Sequence, residues 1–275
     1  MIVMAAFYDM SFVYACVLRL YCVYLFLTSL EYLSIIQQFS DGGIFSWKIM
    51  KINVYPRVLQ SRLGFLFNKS GVFFMLLTRL SLSIYLVFVP LSPLTVYLAA
   101  VIVVISLLFA VRNSIGNDGT DQMNMIISVT LFISFLTHNP VIEGIGLYFI
   151  AAQSILAYVV AGTAKLFSGK WRSGVAVIQI MNTETFGFEP VARYLQAAPP
   201  VVSRILSWNI MSFEVLFFTT LFLPYPYLFL FLAWGLSFHL FNAFVMGLNH
   251  FFWVFLATYP AIIYTNMALQ HFWFH

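Results

Sequence analysis

Apolar residues in this chain come in long stretches, broken by short groups of charged, glycine or proline positions. A helix needs about 20 predominantly apolar residues to cross a bilayer, and windows of that order can be marked out between the breaks. They cover residues 12–36, 72–89, 94–111, 123–137, 145–167, 205–223, 227–247 and 251–264. The windows at 123–137 and 251–264 are short, so each is compatible with a tilted or re-entrant segment. No alternating pattern of a barrel strand occurs, and backbone groups in lipid must be satisfied internally, so the spans are expected to be helices.

Composition agrees with that pattern. The chain is 62% hydrophobic and 8% charged, against about 25% charged in an ordinary soluble domain. The expected fold is all-α: a polytopic helical membrane bundle of about eight spans, forming one transmembrane domain over residues 1–275 with two interfacial loop segments. Lys48, Lys51, Arg57, Arg62 and Lys69 crowd the first long connection, and Lys170, Arg172, Arg193 and Arg204 the one after the fifth span. The connections around Ser92, Asn139 and Tyr225 carry no Lys or Arg, so the basic loops are expected in the cytoplasm and both termini outside. The formal net charge of +4 is explained by these flanks and needs no nucleic-acid partner. The chain starts without the basic region of a cleavable signal peptide, so the first span is expected to serve as the insertion signal.

The first long connection, residues 37–70, mixes apolar and basic positions as a helix lying among lipid headgroups would. The second, residues 168–203, holds Asn182-Thr-Glu-Thr-Phe-Gly-Phe-Glu-Pro and could fold back over the bundle as a lid. No repeat, low-complexity tract or separate soluble domain is visible, so any chemistry is expected in or at the membrane.

Ionisable groups inside such spans are costly and mark candidate sites. Lys165 ends a nearly uncharged run and shares a four-step strip with Gln153, Ala157 and Ala161. A lysine held in a dry, protein-lined niche can serve as a base; one that snorkels to the interface is an ordinary flank. Arg19 and Arg79 lie well inside the first two spans, and each needs a buried acid or several carbonyls. Glu31 stands about 18 Å along the helix from Arg19, too far to serve it. Glu214 is the deepest acid, a candidate counter-ion for an arginine or for Lys165. His239 and Asn242 share a polar seam on the seventh span, expected to make interhelical hydrogen bonds or to contact a ligand. No His, Cys, Asp and Glu set has metal-ligand spacing, so no metal is expected. Trp171, Trp208 and Trp253 read as interfacial anchors. In Asn117-Asp118-Gly-Thr-Asp121 the plain reading is helix capping; the alternative is calcium, whose Asp-x-Asp-x-Asp-Gly ligand loop this spacing departs from.

Three segments together carry a resemblance to a known family: Arg19 with Asp41-Gly-Gly-Ile-Phe after its span, the Asn117-Asp-Gly-Thr-Asp121 turn, and Tyr158-Val-Val-Ala-Gly-Thr-Ala-Lys165-Leu followed by Trp171 and Gly174. In order and spacing these resemble the HTTM family, the horizontally transferred transmembrane domain related to the membrane part of vitamin K-dependent gamma-carboxylase. The resemblance implies a reduced quinone as cofactor and Lys165 as the base that deprotonates it. Beside it, Glu214, His239, Asn242, Arg19, Arg79, Asn117, Asp118 and Asp121 stand as candidate pocket residues. Ala164 stands where the carboxylases carry a second lysine, and no large extramembrane domain is present to hold a peptide, so glutamate carboxylation itself is not expected. The charge bias also puts the Lys165 end on the cytoplasmic side, whereas the carboxylases work on the lumenal side.

In size the chain is similar to short bacterial members such as the membrane component that matures the sporulation-delaying protein. That implies a bacterial plasma membrane, a secreted peptide substrate and partner maturation proteins. The alternatives are a non-catalytic component supporting peptide maturation, export or immunity, and a small-molecule transporter.

Overall fold

The computed structural model describes residues 6–54, 57–113 and 118–274. Eight long helices dominate it: α1 Met10–Ser34, α2 Lys69–Phe88, α3 Pro93–Arg112, α4 Gly119–Thr137, α5 Pro140–Phe167, α6 Pro200–Leu216, α7 Tyr227–Met246 and α8 Asn249–Phe274. There are no strands among the described residues. Among the described residues, seven helices are long and apolar enough to cross a membrane. The exception is α4, whose first turns hold Thr120, Asp121, Gln122 and Asn124. Large apolar side chains such as Phe74, Phe88, Val104, Leu230 and Phe244 are exposed on the helices. That is the surface a lipid solvent allows, and the chain is an all-α integral membrane protein.

The chain forms two compact units, Met10–Gly146 and Leu147–His275 with Met1–Asp9, the boundary falling within α5. In the first unit α1 packs along α2, and α3 along α4. Tyr14 and Ser134 share a hydrogen bond of 2.7 Å, and the Tyr21 hydroxyl donates to Asn124 at 2.6 Å. Arg79 is buried, as a mid-span arginine should be, but its partners are neither an acid nor carbonyls directly. Its guanidinium donates to the hydroxyls of Ser29 at 2.7 Å and Thr28 at 3.2 Å and lies 5.2 Å from the Phe109 ring. Those hydroxyls in turn donate to the carbonyls of Leu25 and Tyr24, so the charge reaches helix carbonyls through one relay. Arg19 departs from the expectation of a buried partner. It is exposed on α1, where no ion pair or hydrogen bond reaches its side chain among the described residues. A hydropathy window gives depth along a helix but not the face.

The connection from 37 to 68 is not one interfacial helix. It is a chain of short turns, with helices at Trp47–Met50, Arg57–Arg62 and Gly64–Phe67. Phe39, Trp47, Met50 and Phe67 are buried in it, together with Val72, Ile105 and Phe109 of the neighbouring helices. Arg112, at the end of α3 and fully buried, donates to the carbonyls of Phe45 and Phe67 and lies 4.5 Å from the Phe39 ring. One cation thereby satisfies carbonyls that an irregular loop leaves without helical partners. Cys16 and Cys22 are both free thiols.

The second unit holds α6, α7, α8 and most of α5. Its connection from 168 to 199 forms helices at Gly169–Arg172, Val175–Met181 and Glu189–Ala197. Each packs on the next, and the first two pack on α6. Val177, Met181, Ala192 and Leu195 bury their side chains there, against Val245 and Met246 at the end of α7. The segment does fold back onto the helices of its own unit.

Candidate intramembrane site

The site lies wholly in the second unit and starts from one glycine. A Cβ on Gly162 would stand 2.7 Å from the Glu214 Cβ and 2.7 Å from the Val215 backbone nitrogen, so α5 and α6 meet here more closely than any larger residue permits. That approach puts a lysine one turn further along α5 beside an acid of α6. The Lys165 amine donates to both carboxylate oxygens of Glu214, at 2.7 Å each. The carboxylate side chain is 5% exposed and the lysine side chain 21%. The open end is covered by Trp171, whose ring centre lies 5.3 Å from the amine.

The buried face of α5 therefore differs from the expected four-step strip. Gln153, Ala157 and Ala161 are only half-buried, whereas Ala151, Ile155, Tyr158 and Gly162 are buried and lead to Lys165. Four-residue steps of 400° drift round a helix, by about 120° from 153 to 165, while alternating threes and fours stay on one side.

Two turns before Lys165, the Tyr158 hydroxyl meets His239 Nε2 on α7 at 2.7 Å, and either can be the donor. Tyr158 also stacks close to Phe217, with ring centres 4.0 Å apart, and touches Phe213 and Phe255. His239 lies nearly parallel to Phe255 at 4.9 Å. Gly235 admits the Tyr259 hydroxyl from α8, since a Cβ there would be 2.5 Å from it. The Tyr259 hydroxyl interacts with that of Tyr158 but makes no hydrogen bond of normal geometry, and neither does His239 Nδ1. A second polar step, Ser154 with Thr258 at 2.8 Å, continues between α5 and α8.

Not every expected residue joins this site. Asn242 is half-buried, and its backbone carbonyl caps the end of α7 by accepting from Gly247 and Leu248. Arg19, Arg79, Asp118 and Asp121 belong to the first unit. Asp118 and Asp121 form a capping box on α4: Asp118 accepts from the Thr120 N–H at 2.7 Å, and Asp121 from the Asp118 N–H at 3.2 Å. Asn117 lies outside the described residues. No metal-holding group of His, Cys, Asp and Glu occurs among the described residues. Trp253 donates to its own helix at Asn249.

Tyr158, Tyr259 and Trp171 were not singled out as site residues. Tyr158 had a usable signal, seven residues before Lys165 and hence on its face. Tyr259 had none, because tyrosine is common at bilayer interfaces.

No family model, curated protein or solved structure matches the chain. The residues alone therefore carry the functional reading. Lys165 and Glu214 are hydrogen-bonded in a niche closed at the acid and open at the amine, and the aromatic cluster beyond them holds two buried polar atoms.

Proposed function

We propose that this is a membrane enzyme of the HTTM type in which Lys165 and Glu214 act as a proton-transfer pair, with a lipid-soluble hydroquinone as cofactor and a secreted peptide as substrate. The observation that supports it is the two-pronged contact at 2.7 Å between an amine 21% exposed and a carboxylate 5% exposed. A charge pair removed from water approaches its neutral arrangement in energy, because the desolvation of two ions offsets their attraction. In the neutral arrangement the shared proton rests on Glu214 and the Nζ lone pair faces it; rotation about the Cε–Nζ bond then turns that lone pair toward the open side. After Nζ takes a proton, Glu214 holds the other, and releasing one restores the pair.

The proposed contact for the hydroquinone ring is the aromatic cluster of α5, α6, α7 and α8. There the Tyr259 hydroxyl and His239 Nδ1 are buried without a hydrogen bond of normal geometry, among the rings of Phe213, Phe217 and Phe255. When bound, a hydroquinone supplies two hydroxyl protons and two electrons. The proposed setting is a bacterial plasma membrane with the basic loops in the cytoplasm and partner maturation proteins alongside.

A second reading also has an observation in its favour. The contact at Gly162 is so close that the ion pair works as a clasp between α5 and α6, which is all a non-catalytic maturation, export or immunity component requires. Lys165→Arg and Lys165→Ala separate the two, measured as oxidation of menadiol by oxygen in proteoliposomes, above the rate in empty vesicles. The enzyme reading expects both variants to lose on the order of 100-fold or more in turnover, while Lys165→Arg keeps the melting temperature. Turnover equal to wild type in both variants, or no turnover in any form, leaves the clasp.

A further inference from the structure

Beyond the proton-transfer pair, and independently of it, the segment just after α5 and the start of α6 carry three exposed cations close along the backbone. Lys170, Arg172 and Arg204 are all exposed, and none has an ion pair or side-chain hydrogen bond among the described residues. Their grouping is built into the backbone. Gly174 has a positive φ of 84° and sits so close to α6 that a Cβ would lie 2.5 Å from the Arg204 nitrogen. The Ser207 hydroxyl donates to the Trp171 carbonyl, and the Trp208 indole N–H to the Arg172 carbonyl at 3.3 Å. The turn at 169–174 is thereby fastened along the first half of α6, bringing Lys170 and Arg172 to the stretch that carries Arg204.

The surroundings define what would cover these charges. Glu214 is the only acid on α6, and it is buried and committed to Lys165. Arg193, the other cation of the connection, is paired with Glu189 at 3.6 Å and is not part of the group. Trp171 and half-exposed Trp208 stand among the three cations, and indoles of this kind prefer the headgroup level of a bilayer. α5 ends at Phe167, two residues past Lys165, and the short helix Gly169–Arg172 follows, where an apolar span gives way to headgroups. Cations at that depth beside indoles match an anionic phosphate held at the membrane surface.

We infer that Lys170, Arg172 and Arg204, with Trp171 and Trp208, form a binding site for the headgroup of an anionic phospholipid. The phosphate is held by the two guanidiniums and the ammonium, and the indoles cover the glycerol and upper acyl region. Trp171 also covers Lys165, so the lipid sits beside the mouth of the proton-transfer pair.

The test compares phosphatidylglycerol with phosphatidylcholine in nanodiscs and in detergent, read as bound lipid by native mass spectrometry and as thermal melting. The wild-type chain is expected to retain phosphatidylglycerol selectively and to melt higher with it. Lys170→Gln/Arg172→Gln/Arg204→Gln is expected to lose on the order of 100-fold in affinity for this lipid, and Arg204→Gln alone a part of that. The single variant keeps the test valid should the triple variant fold poorly. Lys51→Gln/Arg57→Gln/Arg62→Gln, in the other basic connection, is the control and should keep the lipid. Equal loss in the control, unchanged retention in the Arg204 variant, or full replacement of the effect by inorganic phosphate would each overturn the site.

Discussion

Lys165 and Glu214 hold each other at 2.7 Å, and the carboxylate has almost no access to water. Removing one partner leaves the other desolvated without compensation, which in buried pairs costs about 3 to 5 kcal/mol; the partly open lysine puts this pair at the lower end. Lys165→Ala is therefore expected to lower resistance to SDS-induced unfolding by about 3 kcal/mol. Lys165→Met combined with Glu214→Leu should recover most of the loss, because neither charge is then left behind. A double variant no more stable than the single one would show that the contact is not what fastens α5 to α6. At this scale the sequence was readable where charge is scarce. Lys165 and Glu214 stand out in a chain that is 8% charged, and Glu214 as a counter-ion for Lys165 was one of the partnerships open to it. Tyr158 and Tyr259 did not stand out, since an aromatic with one hydroxyl looks the same in a core as at an interface until its neighbours are known.

Helices register the same limits differently. The start of α4 was legible, because Asp-Gly-Thr-Asp before an apolar run supplies a side-chain acceptor for free backbone N–H groups. The structure puts Asp118 on the N–H groups of Thr120 and Asp121, and Asp121 back on Asp118. Asp118→Ala should cost about 1 kcal/mol and fray the first turn of α4, measured as faster amide exchange at 119–122 with exchange at the Lys165 end unchanged. Slower turnover without such fraying would instead point to a pocket role for this turn. The connection at 37–68 was less legible. Its amphipathic pattern resembled one surface helix, but Phe39 and Phe67 turn inward and Arg112, from the end of a different helix, gathers its carbonyls. A long-range partner of that kind leaves no periodic trace in the segment it holds. On α5 the error was one of phase: a glutamine at 153 and alanines at 157 and 161 suggested a strip, while the helix buries the alternating positions that end at Gly162.

For the chain as a whole, everything turns on whether α4 crosses the bilayer. Its hydropathy falls below that of the other seven long helices, yet its 19 residues are long enough, at about 1.5 Å each, to span most of the hydrocarbon. Most of the polar residues that lower its hydropathy are turned away from lipid, while exposed Gln122 and half-buried Asp121 stand in its first turn. Thr120, Asn124, Ser128, Thr130 and Ser134 are all buried, with Asn124 bonded to Tyr21 and Ser134 to Tyr14 of α1. A helix that turns its polar side chains toward protein needs only a partial apolar face to cross. If α4 crosses, the basic connections at 37–68 and 168–199 share one side, as their lysines and arginines require; if it does not, they lie on opposite sides. Cysteines placed at Ser61 and Glu184, in a chain with Cys16 and Cys22 changed to Ser, should therefore both be shielded from an impermeant maleimide added to intact cells. Cysteines at Leu91 and Tyr225 should both be labelled. Labelling at 184 with shielding at 61 would mean that α4 enters and leaves on one side, and it would move the Lys165 end to the outer face of the membrane.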